Sequence, residues 1–196
     1  MNIQIHKNQN FTDIAGSAVS IKPFECANIW SEKYISWLRD HEVILTLNLT
    51  SYLKKPVDVE EVEKYCRALL ESENDVFCAI HERQTDLFIG TCKIGDIDEF
   101  AGVADIGIMI GEKRFWGKGI GVETVSLLSD FAFNKMNLRK LTGGAMASNK
   151  PMRSIFDRLG FVKEGVMREQ DRVGSAYIDH ILFGCFRHEF KPILKY

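Results

Sequence analysis

The stretch Arg114-Phe115-Trp116-Gly117-Lys118-Gly119-Ile120-Gly121-Val122-Glu123 decides how this chain is read. It follows an apolar run, Ile106 to Ile110. It precedes a pattern with apolar or small residues at Ile120, Thr124, Leu127, Leu128 and Phe131. The order is strand, glycine turn, helix. Glycines at 117, 119 and 121 keep side chains out of the turn, so backbone N–H groups can close on an anion. The helix dipole favours negative charge at the same place. Arg114 and Lys118 add positive charge. The expectation is a cradle for phosphate or pyrophosphate.

Two common phosphate motifs fit poorly. A Walker A loop needs four residues between its first glycine and Gly-Lys-Ser/Thr, and no Ser or Thr follows Lys118. The dinucleotide fingerprint runs G-x-G-x-x-G, whereas this chain runs G-x-G-x-G.

A second informative stretch is Asn149-Lys150-Pro151-Met152-Arg153-Ser154-Ile155-Phe156-Asp157-Arg158-Leu159-Gly160-Phe161. Asn149 suits a helix N-cap and Pro151 the first turn. Ile155, Phe156 and Leu159 make a buried stripe, and Gly160 ends the helix.

Outward from these two stretches, Val103 to Ile110 reads as a strand, and the helix after the cradle runs to about Lys135. Leu138 to Ala145 is a further strand, and two closing strands follow the short helix. Upstream, Ala18 to Phe24 reads as the first strand. Ile29 to Leu38 reads as a helix with its stripe at Trp30, Tyr34, Trp37 and Leu38. Asp58 to Glu73 is a clearer helix, capped by Asp58, with Val62, Tyr65, Cys66 and Leu69 facing inward. Val76 to Glu82 and Leu87 to Ile94 are strands joined by Arg83 to Asp86. The order is β-α-α-β-β-β-α-β-α-β-β, an α+β (mixed α/β) domain over 17–196, with 1–16 as an extension or added edge strand.

Arg-x-x-Gly-x-Gly after a strand, with Asn, a short helix and Leu159-Gly160-Phe161 downstream, resembles the GNAT superfamily of N-acyltransferases. The likeness spans about Ser17 to the C-terminus. It implies a mostly antiparallel twisted sheet of about seven strands flanked by helices. It also implies acetyl-CoA as the acyl donor. Its pyrophosphate is expected at Gly117, Lys118, Gly119, Ile120 and Gly121, with Arg114, Trp116 and Arg153 nearby. Asn149 is expected to contact the pantetheine arm, and a backbone N–H among Ile108, Met109 and Ile110 to polarise the thioester.

For the general base the choice is Asp105, which shares a strand face with Gly107 and Met109. Burial there would raise its pKa towards that of a working base. Asp98 and Glu99 are weaker candidates. Many relatives place a Tyr four residues before the Gly of Leu-Gly-Phe, whereas this chain has Phe156. Ser154 and Tyr177 are the remaining hydroxyls considered as the acid. Trp37, Tyr52 and Tyr177 form a candidate acceptor wall, and Asp40, Glu42 and Asp179 candidate partners for a cationic amine. His180 has no nearby second His, so no metal is expected.

A net charge of −2 with both signs scattered argues against nucleic acid as a partner. Five widely spaced cysteines, with no C-x-x-C, read as reduced thiols in a cytoplasm. No apolar run is long enough to span a membrane, and Met1 to Asn10 is too polar for a signal peptide. The expected activity is acetyl transfer to a primary amine (a small amine, aminosugar or protein N-terminus) by direct attack in a ternary complex. The alternative is a non-catalytic acyl-CoA-binding module. Monomer and homodimer both remain open.

Overall fold

The computed structural model describes residues 11–47 and 55–193. Its strands form one sheet of eight, ordered β1-β2-β3-β4-β5-β6-β8-β7. The strands are β1 (Ile14–Ala15), β2 (Val19–Pro23), β3 (Val76–Glu82), β4 (Phe88–Asp98), β5 (Val103–Ile110), β6 (Lys140–Met146), β7 (Val162–Val173) and β8 (Ala176–Phe186). Every neighbouring pair is antiparallel except β5–β6.

About seven strands were expected, and the eighth is β1. Two residues of the supposed extension pair with β2, Ile14 opposite Ile21 and Ala15 opposite Ser20. A tie from the other side of the molecule holds them there. The buried Glu123 carboxylate accepts hydrogen bonds from the Ser17 N–H, the Ser17 hydroxyl and the Ala18 N–H. Glu123 lies in α5 (Ile120–Asn134), so one carboxylate fastens the start of the sheet to the helix that follows the glycine turn.

The single helix expected over Ile29 to Leu38 is broken into α1 (Cys26–Ile29) and α2 (Glu32–Arg39), and α3 (His41–Thr46) follows directly. Trp30 sits at the break and is 58% exposed, outside the expected stripe. Asp40 ends α2 and caps α3, accepting from the Glu42 and Val43 N–H groups. α4 (Val59–Glu71) starts at the expected Asp58 cap, whose carboxylate accepts from the Glu60 N–H. Val62, Cys66 and Leu69 are buried as expected, whereas Tyr65 is exposed. α6 (Lys150–Arg158) is capped by Asn149. It ends at Gly160, whose φ of 88° only glycine adopts easily.

The sheet separates two apolar cores. On one face, α5 and α6 cover side chains such as Ile94, Ile106, Leu141 and Phe183. On the other, α1, α2 and α4 cover Phe77, Ala79 and Met109 around Phe24, Tyr34 and Trp37.

Glu123→Ala removes the acceptor for three donors at the sheet's edge. Stability should fall by about 2 kcal/mol, the usual cost of stranding buried polar groups. Urea denaturation reads this, and an unchanged midpoint would show that the tie contributes nothing.

Candidate active site

The pairing of β5 with β6 lasts only from Val103 to Asp105, opposite Lys140 to Thr142. Beyond that point β5 follows β4 as far as Ile110, whereas β6 follows β8 over its full length. The strands part and leave a gap. Backbone direction along β5 is fixed by two contacts. The Ala104 carbonyl accepts from the Thr142 hydroxyl across β6, and the Ile110 carbonyl accepts from Trp116 Nε1 at 2.7 Å. Alternate residues share an edge of a strand. The main-chain groups of Ile106, Ile108 and Ile110 therefore face the gap. Those of Met109 face β4, where its carbonyl lies 2.1 Å from where a Cβ on Gly90 would stand. Of the three residues expected to polarise a carbonyl, Ile108 has its N–H on the gap edge, and Met109 does not. The Ile110 carbonyl is occupied by Trp116.

A cavity of about 1020 Å³ runs through this gap and reaches both faces of the sheet. At one end lies the glycine turn. Gly117 and Gly119 adopt φ values of 72° and 82°, with open space where side chains would be. Gly119 is the N-cap of α5, so the first N–H groups of that helix point past an uncovered loop. Gly117, Gly119, Ile120 and Gly121 line the cavity, as does Trp116. Arg114 and Lys118 stand at the rim, their charges 5.2 and 5.6 Å from the Phe115 ring centre. The turn thus presents exposed backbone donors flanked by two cations, the geometry of an anion site.

Asn149 lines the same cavity. Its Oδ1 accepts from the Met152 N–H, and its Nδ2 donates to the Thr46 carbonyl at 3.0 Å. It links α6 to the end of α3. Arg153 turns away and donates to the Ala147 carbonyl. It fixes the start of α6 and does not line the cavity.

On the face covered by α1, α2 and α4, Asp105 projects into the cavity beside Thr142, whose hydroxyl donates to Oδ2 at 3.1 Å. Burial pushes the Asp105 carboxyl up to about 6, against smaller opposing effects of Thr142 and Lys93. A carboxylate so placed holds a proton less tightly than an amine but more tightly than a free carboxylate does. Asp98 accepts from the Ala101 N–H in the turn between β4 and β5. Neither it nor Glu99 lines the cavity.

The expected hydroxyls separate. Ser154, on α6, lines the cavity. Tyr177 is 60% exposed near the tip of the β7–β8 hairpin, under the Arg172 guanidinium, and does not. Phe156 is fully buried, with ring centres 4.9 Å from both Phe161 and Phe183. It fills the space beneath Gly143, where even a Cβ would come within 2.4 Å of its ring.

The candidate acceptor contacts are largely structural. Trp37 is buried, packed on Phe88 and against Gly111. Asp40 and Glu42 both pair with Lys113, joining the α2–α3 corner to the loop after β5. Asp179 accepts from the Glu169 N–H. Tyr52 lies outside the described residues. The cavity lining on the face of Asp105 instead includes Tyr34, Leu38, Tyr65 and Phe77. The cavity is also lined by His180, whose Nδ1 lies 2.8 Å from Asp171 Oδ2. Asp171 carries no signal in the sequence, because a bulge in β7 brings it there.

Residues 31–162 match the family model described as an acetyltransferase (GNAT) domain. The chain belongs to the GNAT acetyltransferase family. It is 30% identical over 151 residues to an uncharacterized N-acetyltransferase, p20, of Bacillus licheniformis, covering 77% of this chain and 84% of the relative. An N-acetyltransferase 9-like protein of Caenorhabditis briggsae is 28% identical, covering 96% of this chain and 98% of the relative. Among solved structures, the spermidine N-acetyltransferase of Vibrio cholerae, in complex with CoA and spermine, superposes with a TM-score of 0.76. It is 16% identical, and the match covers 89% of this chain and 98% of that one. Mycobacterium smegmatis RimJ, in complex with CoA-disulfide, gives a TM-score of 0.72 at 20% identity over 87% and 83%. This GNAT acetyltransferase is thus an acyltransferase enzyme whose fold places a glycine turn, a backbone gap and a half-buried carboxylate along one cavity.

The raised Asp105 carboxyl has a consequence for stability. The folded state holds this proton more tightly than the unfolded chain, whose ordinary value is 3.8. Its favourable contribution is therefore present below pH 3.8 and lost as pH rises through about 6. Asp105→Asn should gain about 1–3 kcal/mol on wild type between pH 4 and pH 7. Urea titrations of both proteins across that range read the difference. Parallel curves would show that Asp105 ionises normally.

Proposed function

We propose that this enzyme transfers the acetyl group of acetyl-CoA to a primary amine by direct attack within a ternary complex. The observation that carries the reading is the single cavity, which joins the glycine turn to Asp105 through the gap between β5 and β6.

The pyrophosphate of acetyl-CoA would sit on the N–H groups at Gly117 to Gly121, with Arg114 and Lys118 adding attraction from the rim. The pantetheine arm would follow the gap past Asn149. The thioester oxygen would meet the Ile108 N–H, a donor with no strand partner on that side. A fixed backbone donor of this kind supplies about 3–4 kcal/mol in favourable cases. The acceptor would enter from the face covered by α2 and α4. An alkylammonium of pKa about 10 must lose a proton before attack, and Asp105 is placed to take it.

With Phe156 in place of the family's Tyr, no phenol on α6 can protonate the departing sulfur. Ser154 is the hydroxyl that α6 presents to the cavity, and it would donate a hydrogen bond to the thiolate. The acceptor would be a primary amine: a small amine, an aminosugar or a protein N-terminus. The wall of Tyr34, Leu38, Tyr65 and Phe77 favours an amine carrying an apolar body over a polycation. The four buried cysteines, all free, fit a reducing cytoplasm.

Calorimetric titration with acetyl-CoA, with ATP as control, tests the donor. Saturable binding of acetyl-CoA alone supports the cradle, and its absence in folded protein removes the basis of the proposal. Thiol release is then screened with 2-phenylethylamine, spermidine and a peptide bearing a free N-terminus. Asp105→Ala should lower turnover about 10²–10⁴-fold, with acetyl-CoA affinity within about twofold of wild type. Equal losses in both would mean that Asp105 supports binding rather than chemistry. Ser154→Ala should cost no more than about tenfold, since a serine hydroxyl is a poor acid and a single hydrogen bond is removed.

A further inference from the structure

The two strands of the C-terminal hairpin do not pair evenly. Met167 lies opposite His180, yet the next recorded pair is Asp171 opposite Ile178. Three residues of β7, 168–170, therefore face the single residue Asp179. Glu169, within this bulge, has a φ of 52°, a conformation that residues other than glycine adopt at some cost. Its N–H is held by the Asp179 carboxylate at 2.9 Å. Without the two extra residues, Glu169 would stand opposite Ile178. With them, Asp171 does, on the face of the hairpin that carries His180. Bulges commonly re-aim a side chain beside an active site.

Asp171 ends 5% exposed, with its Oδ2 2.8 Å from His180 Nδ1. A carboxylate that accepts at Nδ1 leaves the proton of a neutral imidazole there and the lone pair on Nε2. Nε2 lies over Gly144, only 2.3 Å from where a Cβ there would stand. Gly144 and His180 both line the cavity. Asp105 lines the same cavity. A histidine whose outer nitrogen is bound to a buried carboxylate, and whose inner nitrogen stands over a reaction cavity, has the arrangement of an oriented proton acceptor.

We propose that His180 is a second proton acceptor for the amine, with Asp171 as its positioning residue. The inference rests on the acetyl-transfer reading above. An acceptor ammonium gives up two protons in becoming an amide. Asp105 takes the first, and the freed nitrogen attacks the thioester carbon to form the C–N bond. The tetrahedral intermediate then carries a positive nitrogen and an oxyanion. His180 Nε2 takes a proton from that nitrogen as the C–S bond breaks and the electron pair leaves with sulfur. The thiolate recovers one of the two protons from the protein or water, and the other passes to solvent. The products are the amide, free CoA thiol and one proton.

The test combines a spectroscopic and a kinetic readout on the full chain. Two-bond ¹H–¹⁵N correlation with labelled histidine, with His180 assigned by its loss in His180→Gln, reads the tautomer without any substrate. The expected result is a proton on Nδ1 in wild type. Asp171→Asn, which offers an amide donor to Nδ1, should move the proton to Nε2. Thiol release is followed with acetyl-CoA and whichever of 2-phenylethylamine, spermidine or the free peptide wild type acetylates. His180→Gln and Asp171→Asn should each lower kcat at least 50-fold, with KM for acetyl-CoA within about twofold. Imidazole should restore part of the turnover of His180→Gly and none of that of Asp105→Asn.

Gly144→Ala leaves both polar groups in place and crowds the ring, so it should lower kcat with the tautomer unchanged. A wild-type proton on Nε2, or a His180→Gln enzyme within threefold of wild-type kcat, overturns the proposal. If His180→Gln fails to fold, Asp171→Asn and Gly144→Ala decide the matter by the same criteria. Absence of acetyl-CoA binding in wild type overturns the acetyl-transfer reading itself, a different result from a functional enzyme indifferent to His180.

Discussion

The constraint on which the rest of the site depends is the brevity of the β5–β6 pairing. β5 is committed to β4 along its length and β6 to β8, so each half of the sheet keeps its own twist. Two strands so committed can share only three residue pairs before they diverge. Divergence leaves main-chain groups without their usual partners, a cost that a folded protein normally avoids. Here the Ile110 carbonyl is met by the Trp116 indole, which closes the end of β5. The gap edge at Ile108 remains beside a cavity large enough for a ligand's arm. The opening in the sheet is thus both the passage through it and the source of a fixed hydrogen-bond donor.

Around that gap, residue size decides what each face can hold. Gly143 admits Phe156 beneath the sheet, and its neighbour Gly144 admits the His180 ring above it. The two glycines open opposite faces because successive residues of a strand point opposite ways. With Phe156 the α6 side has become wholly apolar at that point, packed on Phe161 and Phe183. Asp105 and His180 stand on the other side of the sheet. The side-chain chemistry for moving protons therefore lies chiefly on the face where the amine would enter.

The cavity keeps its shape through a few ties between distant segments. Lys113 bonds to Asp40 and Glu42, which holds the α2–α3 corner against the loop after β5. These contacts are partly exposed and individually weak, so they set position more than stability. Asn149 spans from α6 to Thr46 at the end of α3. Glu123, in the first turn of α5, anchors the start of that helix to the first strands. The glycine turn is thereby tied on both sides, by Lys113 before it and Glu123 after it.

Local signals in the sequence determined the strands from Val76 to Ile110, the glycine turn with α5, and the Asn149-capped α6. Each rests on periodicity, a cap or a glycine, all properties of neighbours along the chain. Asp105 was legible as well, because strand alternation assigns its face without reference to anything distant. Tertiary structure alone decided three things. It broke the helix expected over Ile29 to Leu38, where Trp30 gains no core to pack against. It spent Trp37, Asp40 and Asp179 on packing, an ion pair and a bulge, since a side chain's partner depends on what folding brings near it. And it joined Asp171 to His180. The contact depends on a strand register shifted by two residues, and no pattern along the chain records a register between strands.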